Sequence, residues 1–301
     1  MSVQNTATVW SKKTTGNFVR AMARAGLVIG ATFLAAACET TDFGRPLPPD
    51  ITPVMATWLW GEHALPASVT REGTPRYWED GLNPTAPVWI KVGGQLQRNP
   101  GLSWAQEATQ AVRPGLHLPA VLYLHGCGGF GREEPTYRQL FLDHGFAVFM
   151  PNSFKRPGRL RCGSQGKLVD RVRLRHEEVA HALREIRKLP WVDHNRLILA
   201  GHSEGGNTVD TWDKPGFMAY ISLASACTLN DAVPATPHGV PFLNIVGEND
   251  DRRPGLSCEV RRTVGGSKSV VIPSAGHRVA NYPETKQAIR AFLQDCCLQK
   301  R

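Results

Sequence analysis

A chain of 301 residues, 42% apolar and 20% charged, has enough material for one large core, which excludes general disorder. The formal charge of +9 is dispersed along the chain. Its one local basic cluster, Phe154 to Gly163, lacks the interleaved aromatics of a base-stacking platform, so a nucleic-acid partner is not expected.

The first element is a basic stretch, with Lys12, Lys13, Arg20 and Arg24 ahead of the apolar run Ala25 to Cys38. That run is too short to span a bilayer comfortably. A basic region, an apolar region and small residues in that order read as a secretory signal over residues 1–38. Its end, Leu34-Ala35-Ala36-Ala37-Cys38, resembles a bacterial lipobox with the leucine one place further from the cysteine than is common. Cys38 is therefore a candidate for lipidation; a plain signal peptide and an uncleaved anchor helix stay open. The expectation is export to a bacterial periplasm or cell envelope, with attachment to the membrane through the N-terminal segment. Residues 39–53, rich in proline and polar side chains, suit a tether.

Six further cysteines follow: Cys127, Cys162, Cys227, Cys258, Cys296 and Cys297. An even number in an exported chain points to disulfides, and no pair has C-x-x-C zinc spacing. Their connectivity is open at this point.

Residues 54–301 read as the folded body. In its first part, 54–117, tryptophans at 58, 60, 78, 89 and 104 are scattered among Gly, Pro and Asn. Short strands and loops packed on a later core account for them better than a carbohydrate platform. From Leu118 onward the pattern is regular. "AVLYLHG" reads as a buried strand, "PTYRQLFLDHG" as a helix stopped by Gly145, and "FAVFMP" as the next strand. A long helix is predicted from about Leu168 to Leu189, with Val169, Val172, Val179, Leu183 and Ile186 on one face and Pro190 behind it. "RLILAG", "FMAYISLAS", "PFLNIVG" and "KSVVIP" are four more strands, and "ETKQAIRAFLQDC" closes the chain as a helix. Alternating buried strands and helices predict an α/β fold with a mostly parallel sheet covered on both faces.

Chemistry in such sheets gathers at the carboxyl ends of the strands. After "RLILAG" comes Gly201-His202-Ser203-Glu204-Gly205, a G-x-S-x-G elbow that projects a serine from a strand-to-helix turn. After "PFLNIVG" come Asp250 and Asp251, and after "KSVVIP" comes His277. A serine hydroxyl needs an imidazole to take its proton, and the imidazole needs a carboxylate to hold its tautomer. Asp250 is preferred over Asp251 by its spacing from Gly247 and Pro254. The loop "LHGCGGFG", Leu124 to Gly131, supplies glycines for an oxyanion hole, whose donors by elbow geometry are the amides of Cys127 and Glu204.

Rival readings fare worse. The same glycines match G-x-G-x-x-G, yet the strand that follows ends in Asn152 and Ser153 with no acidic residue for a dinucleotide. The histidines of "HEEVAH", His176 and His181, are five apart where zinc-binding H-E-x-x-H needs four. No cofactor and no metal is expected. His202 is taken to pack locally, and His125 to brace the oxyanion loop by a hydrogen bond.

In "YLHGCGG", "GFAVFMPNSF", "VDHNRLILAGHSEGG", "PFLNIVGENDD" and "SAGH", taken in order, the chain resembles the α/β-hydrolase superfamily and its dienelactone hydrolase-like branch. The resemblance covers Leu118 to the C-terminus. It implies a sheet of about eight strands, a Ser203, Asp250, His277 triad and cofactor-free hydrolysis of esters. Dienelactone hydrolases proper carry a cysteine at the elbow, so Ser203 departs from them and the dienelactone reaction itself is not implied. The resemblance also implies a Cys227–Cys258 bridge, with Cys127–Cys162 the next pairing. A small-molecule ester is the expected substrate. Two other readings stay open: a non-catalytic envelope binding protein, and acyl transfer or peptide cleavage by the same triad.

Overall fold

The computed structural model describes residues 112–298 except 156–158, 160–161, 163–166 and 253–255, together with 61–65, 71, 76–79, 88–92, 95–99 and 109–110. The export segment with Cys38, the tether, Trp58, Trp60 and Trp104 lie outside the described residues. Among the described residues no helix is long and apolar enough to cross a membrane.

Among the described residues ten strands form one sheet: β1 (Gly61–Leu65), β2 (Arg76–Glu79), β3 (Val88–Val92), β4 (Gln95–Asn99), β5 (Leu118–Leu124), β6 (Ala147–Pro151), β7 (Val192–His202), β8 (Ala219–Leu223), β9 (Phe242–Gly247) and β10 (Lys268–Ile272). Their order across the sheet is β10-β9-β8-β7-β5-β6-β1-β2-β3-β4. Strands β5 to β10 run parallel to their neighbours in that set. β1 joins β6 antiparallel, and β2, β3 and β4 continue as an antiparallel meander. The sheet therefore extends past the eight strands that the resemblance implied, because the weakly patterned residues before Leu118 add four strands to its edge.

Helices α1 (Glu134–Asp143), α2 (Leu168–Ile186), α3 (Glu204–Asp210) and α4 (Pro283–Cys296) cover the parallel strands. Strand alternation explains how. On β5, Ala120, Leu122 and Leu124 enter one core with Val179, Leu183 and Ile186 of α2. Val121 and Tyr123 enter the other core with Phe141 of α1 and Ile289 and Phe292 of α4. All seven residues of β5 are buried, as expected of a strand with helices on both faces. Truncating a fully buried anchor such as Phe292 to alanine typically costs about 3–5 kcal/mol.

The punctuation is local chemistry. Pro283 opens α4 with a fixed φ where its missing N–H costs nothing. Gly145 follows α1 at φ +80°, ending it. Helix α2 stops at Ile186, three residues before the predicted end, and β7 begins at Val192, before "RLILAG". Val192 is paired with Leu118, so sheet register extends the strand through the half-buried Asp193 and the exposed His194 and Asn195.

Three disulfides are present among the described residues: Cys127–Cys162, Cys227–Cys258 and Cys296–Cys297. The second joins the loop after β8 to the segment beyond the β9 loop. Asp210, at the end of α3, anchors it by accepting the Cys227 N–H at 3.2 Å and the Ser225 hydroxyl.

Candidate active site

Strand β7 ends at His202, and α3 starts at Glu204. Ser203, caught between them, has φ 56° and ψ −112°, a conformation an L-residue adopts only under constraint. Its N–H is held by the carbonyl of Leu223 on β8 at 2.8 Å, and its own carbonyl takes the N–H of Asn207 at 2.9 Å. The glycines of the motif permit this turn. A Cβ on Gly201 would stand 2.5 Å from the carbonyl carbon of Gly205, and one on Gly205 would collide with the backbone of Leu124. The serine side chain faces a cavity of about 240 Å³, lined also by Gly128, Arg132, Glu133, His202 and His277.

His277 comes from the turn after β10 and Asp250 from the turn after β9. The Ser203 hydroxyl lies 2.8 Å from His277 Nε2, and His277 Nδ1 lies 2.8 Å from Asp250 Oδ2. With the proton on Nδ1 donated to the carboxylate, Nε2 is left as the acceptor for the serine. Asp250 is 1% exposed, and its other oxygen takes the N–H of Arg252 at 2.9 Å. Asp251 is exposed. Burial lowers the His277 pKa below the ordinary histidine value. The Asp250 hydrogen bond and charge act against that, while His202 and Arg252 reinforce it. Arg252 Nη1 stands 3.2 Å from Nε2.

On the other side of Ser203 lies the glycine loop. Residues 126–129 form a tight turn, Gly129 N–H to Gly126 carbonyl at 3.1 Å. His125 Nδ1 donates to the Gly126 carbonyl at 2.6 Å, and its Nε2 accepts the N–H of Ser153 at 3.0 Å, so the ring is neutral. Burial and the nearby Arg175 push its pKa well down. Among the described residues neither the Cys127 nor the Glu204 amide has an acceptor. Both N–H groups are thus free to donate to a bound acceptor.

Behind the loop is a set of buried charges that the motifs did not indicate. The Glu204 side chain, 1% exposed, takes Arg159, Arg171 Nε at 2.8 Å and Arg175 Nη1 at 3.6 Å. Arg175, fully buried on α2, also pairs with Glu178 at 2.9 Å and donates to the His125 carbonyl at 3.1 Å. Ser153 Oγ donates to Glu178 Oε1 at 2.6 Å. A sequence clue exists for part of it: Arg175 and Glu178 fall on the apolar face of α2, where an unpaired charge would be prohibitive. His202 is not merely packed, as expected, but stands 2.9 Å from Glu133, a residue with no predicted role.

A sheet whose parallel part is flanked by helices, with a serine at a strained strand-to-helix turn and Ser, Asp and His following β7, β9 and β10 in that order, is the α/β-hydrolase fold. No family model and no curated relative matches the chain. Similar solved structures include esterase PE8, at 19% identity over 60% of this chain and 94% of that one, with a TM-score of 0.45. Est1E from Butyrivibrio proteoclasticus, bound to ferulic acid, is 16% identical over 60% and 90%, with a TM-score of 0.47. A Klebsiella pneumoniae subsp. pneumoniae protein described as a dienelactone hydrolase is 14% identical over 71% and 98%, with a TM-score of 0.42.

Proposed function

We propose that the chain is a serine hydrolase of carboxylic esters, dienelactone hydrolase-like with serine in place of cysteine. The observation that carries the reading is the relay from Ser203 Oγ to His277 Nε2 to Asp250, two contacts of 2.8 Å ending on a buried carboxylate. His277, its pKa lowered, is neutral and able to accept the serine proton as the hydroxyl attacks the acyl carbon. The tetrahedral oxygen then sits against the amides of Cys127 and Glu204. Each donor of this kind is typically worth about 3 kcal/mol of transition-state stabilisation. His277 returns the proton to the leaving alcohol and next draws one from water, which releases the acyl group from Ser203.

The decisive experiment compares wild type and Ser203→Ala. Wild type should hydrolyse p-nitrophenyl acetate and be labelled by a fluorophosphonate, and the variant should do neither. Labelling that persists in the variant, or a wild type inert to both reagents, overturns the reading; the second outcome would favour a binding protein. Competing alcohols or amines that capture the acyl group would redirect it to acyl transfer. We further propose that the chain works outside the cytoplasm, attached through its N-terminal segment. The signal-like residues 1–38 and the paired cysteines support this.

A further inference from the structure

His202 is 8% exposed, and the hydrolytic steps above do not use it. Its Nε2 faces the main-chain carbonyl of His277 at 3.1 Å, and Glu133 Oε2 lies 2.9 Å from the same nitrogen. The other oxygen of Glu133 accepts the main-chain N–H of Ala280 at 2.9 Å. Two side chains thus grip the turn bearing His277 at two backbone points, its own carbonyl and the amide three residues on. They come from different places. Glu133 directly precedes α1 at the end of the glycine loop, and His202 is the residue before the nucleophile.

We propose that Glu133 and His202 are positioning residues for the triad: a buried acid–histidine pair that locks the 277–280 turn onto the elbow and sets the basicity of His277. The catalytic consequence rests on the hydrolase reading; the pairing does not.

A merely space-filling role would be served better by apolar side chains, because a buried carboxylate and imidazole lose their hydration. Among the described residues no hydrogen-bond donor is aligned on Glu133 Oε2, which leaves His202 as the group that balances its charge. The two polar groups instead supply direction, each ending on a backbone group of the same turn. Burial alone would neutralise His202. The Glu133 carboxylate 2.9 Å away, the His277 carbonyl and Glu134 outweigh it and raise the His202 pKa. Burial also works against the Glu133 charge, but His202 and the Ala280 N–H keep its pKa low. Both shifts favour the charge-separated form of the pair, an imidazolium beside a carboxylate. The imidazolium ring centroid is 5.1 Å from that of His277, which also faces Asp250 and Arg252. Its charge opposes protonation of His277, so the base stays neutral further into the acid range.

The test follows the imidazole signals of His202 and His277 by NMR titration in wild type, His202→Gln and Glu133→Gln, alongside kcat, KM and the pH profile for p-nitrophenyl acetate. In His202→Gln the cation is gone and the Glu133 carboxylate is uncompensated. His277 should titrate at higher pH, the acid limb of kcat/KM should move with it, and kcat should fall roughly tenfold to a hundredfold at little-changed KM. Glu133→Gln, which keeps an acceptor for Ala280, should move the same quantities in the same direction by less. A folded His202→Gln protein in which His277 titrates as in wild type overturns the proposal, even if its unfolding temperature has dropped. Should His202→Gln fail to fold, Glu133→Gln decides by the same readings. Because the titration needs no turnover, it judges the pairing even if Ser203→Ala removes the hydrolase reading.

Discussion

The two sides of Ser203 are built on opposite electrostatic plans. On one side Asp250 and His277 hang from the turns after β9 and β10, and in the proposed reaction the imidazole takes up and releases a proton. On the other, the glycine loop is backed by the ion-paired Arg159, Arg171, Arg175, Glu178 and Glu204, and is stitched by Cys127–Cys162. The contrast teaches that proton transfer and oxyanion binding make different demands. A base must titrate within reach of solvent, whereas backbone donors must stay put while charge develops against them.

That contrast can be broken at either end. The largest effect is expected from Asp250→Asn, which offers His277 the wrong partner and should lower kcat about 10⁴-fold with little change in folding. Asp251→Asn should stay near wild type, and steady-state kinetics of both variants checks the pair. Next comes Glu204→Gln, which leaves three arginines facing a neutral amide. Unpairing a buried charge costs about 3–5 kcal/mol, so denaturant unfolding should register a large loss of stability with activity falling alongside. Replacing both Cys127 and Cys162 with serine opens a loop closed across 35 residues. Loss of up to about 3–4 kcal/mol is expected, and fluorophosphonate labelling should slow while the His277 titration is unmoved.

The smallest effect belongs to pH. His277 lies below the ordinary histidine pKa, so kcat/KM should hold as pH falls through the ordinary histidine range and drop only below it. Arg252 contributes to that lowering, and Arg252→Ala should move the acid limb modestly to higher pH. An acid limb that stayed fixed would show that Arg252, exposed and 3.2 Å from Nε2, is screened by solvent.

Which of these features could be read in the sequence follows from how far apart their parts lie. β5 and β7 were legible because a strand buried on both faces is a continuous apolar run. The grouping of Ser203, Asp250 and His277 was legible because each lies within a few residues of the end of a strand, β7, β9 and β10 in turn, and spacing separated Asp250 from Asp251. The antiparallel edge was not, since residues before Leu118 carry neither apolar period strongly. The Arg159–Glu204 and Glu133–His202 pairs escaped because their partners lie 45 and 69 residues apart with no spacing rule to join them. Only Arg175 and Glu178, charged residues inside an apolar helical stripe, carried a local sign of a buried pair.

Among the described residues β10 has a neighbour on one side only, and Val271 on it is 49% exposed. The imidazole is thus suspended from the rim of the sheet, the place where backbone amides open most readily. On gentle warming, deuterium uptake should begin at this rim before it reaches β5 and β7, and enzymatic output should fade while most of the molecule is still intact.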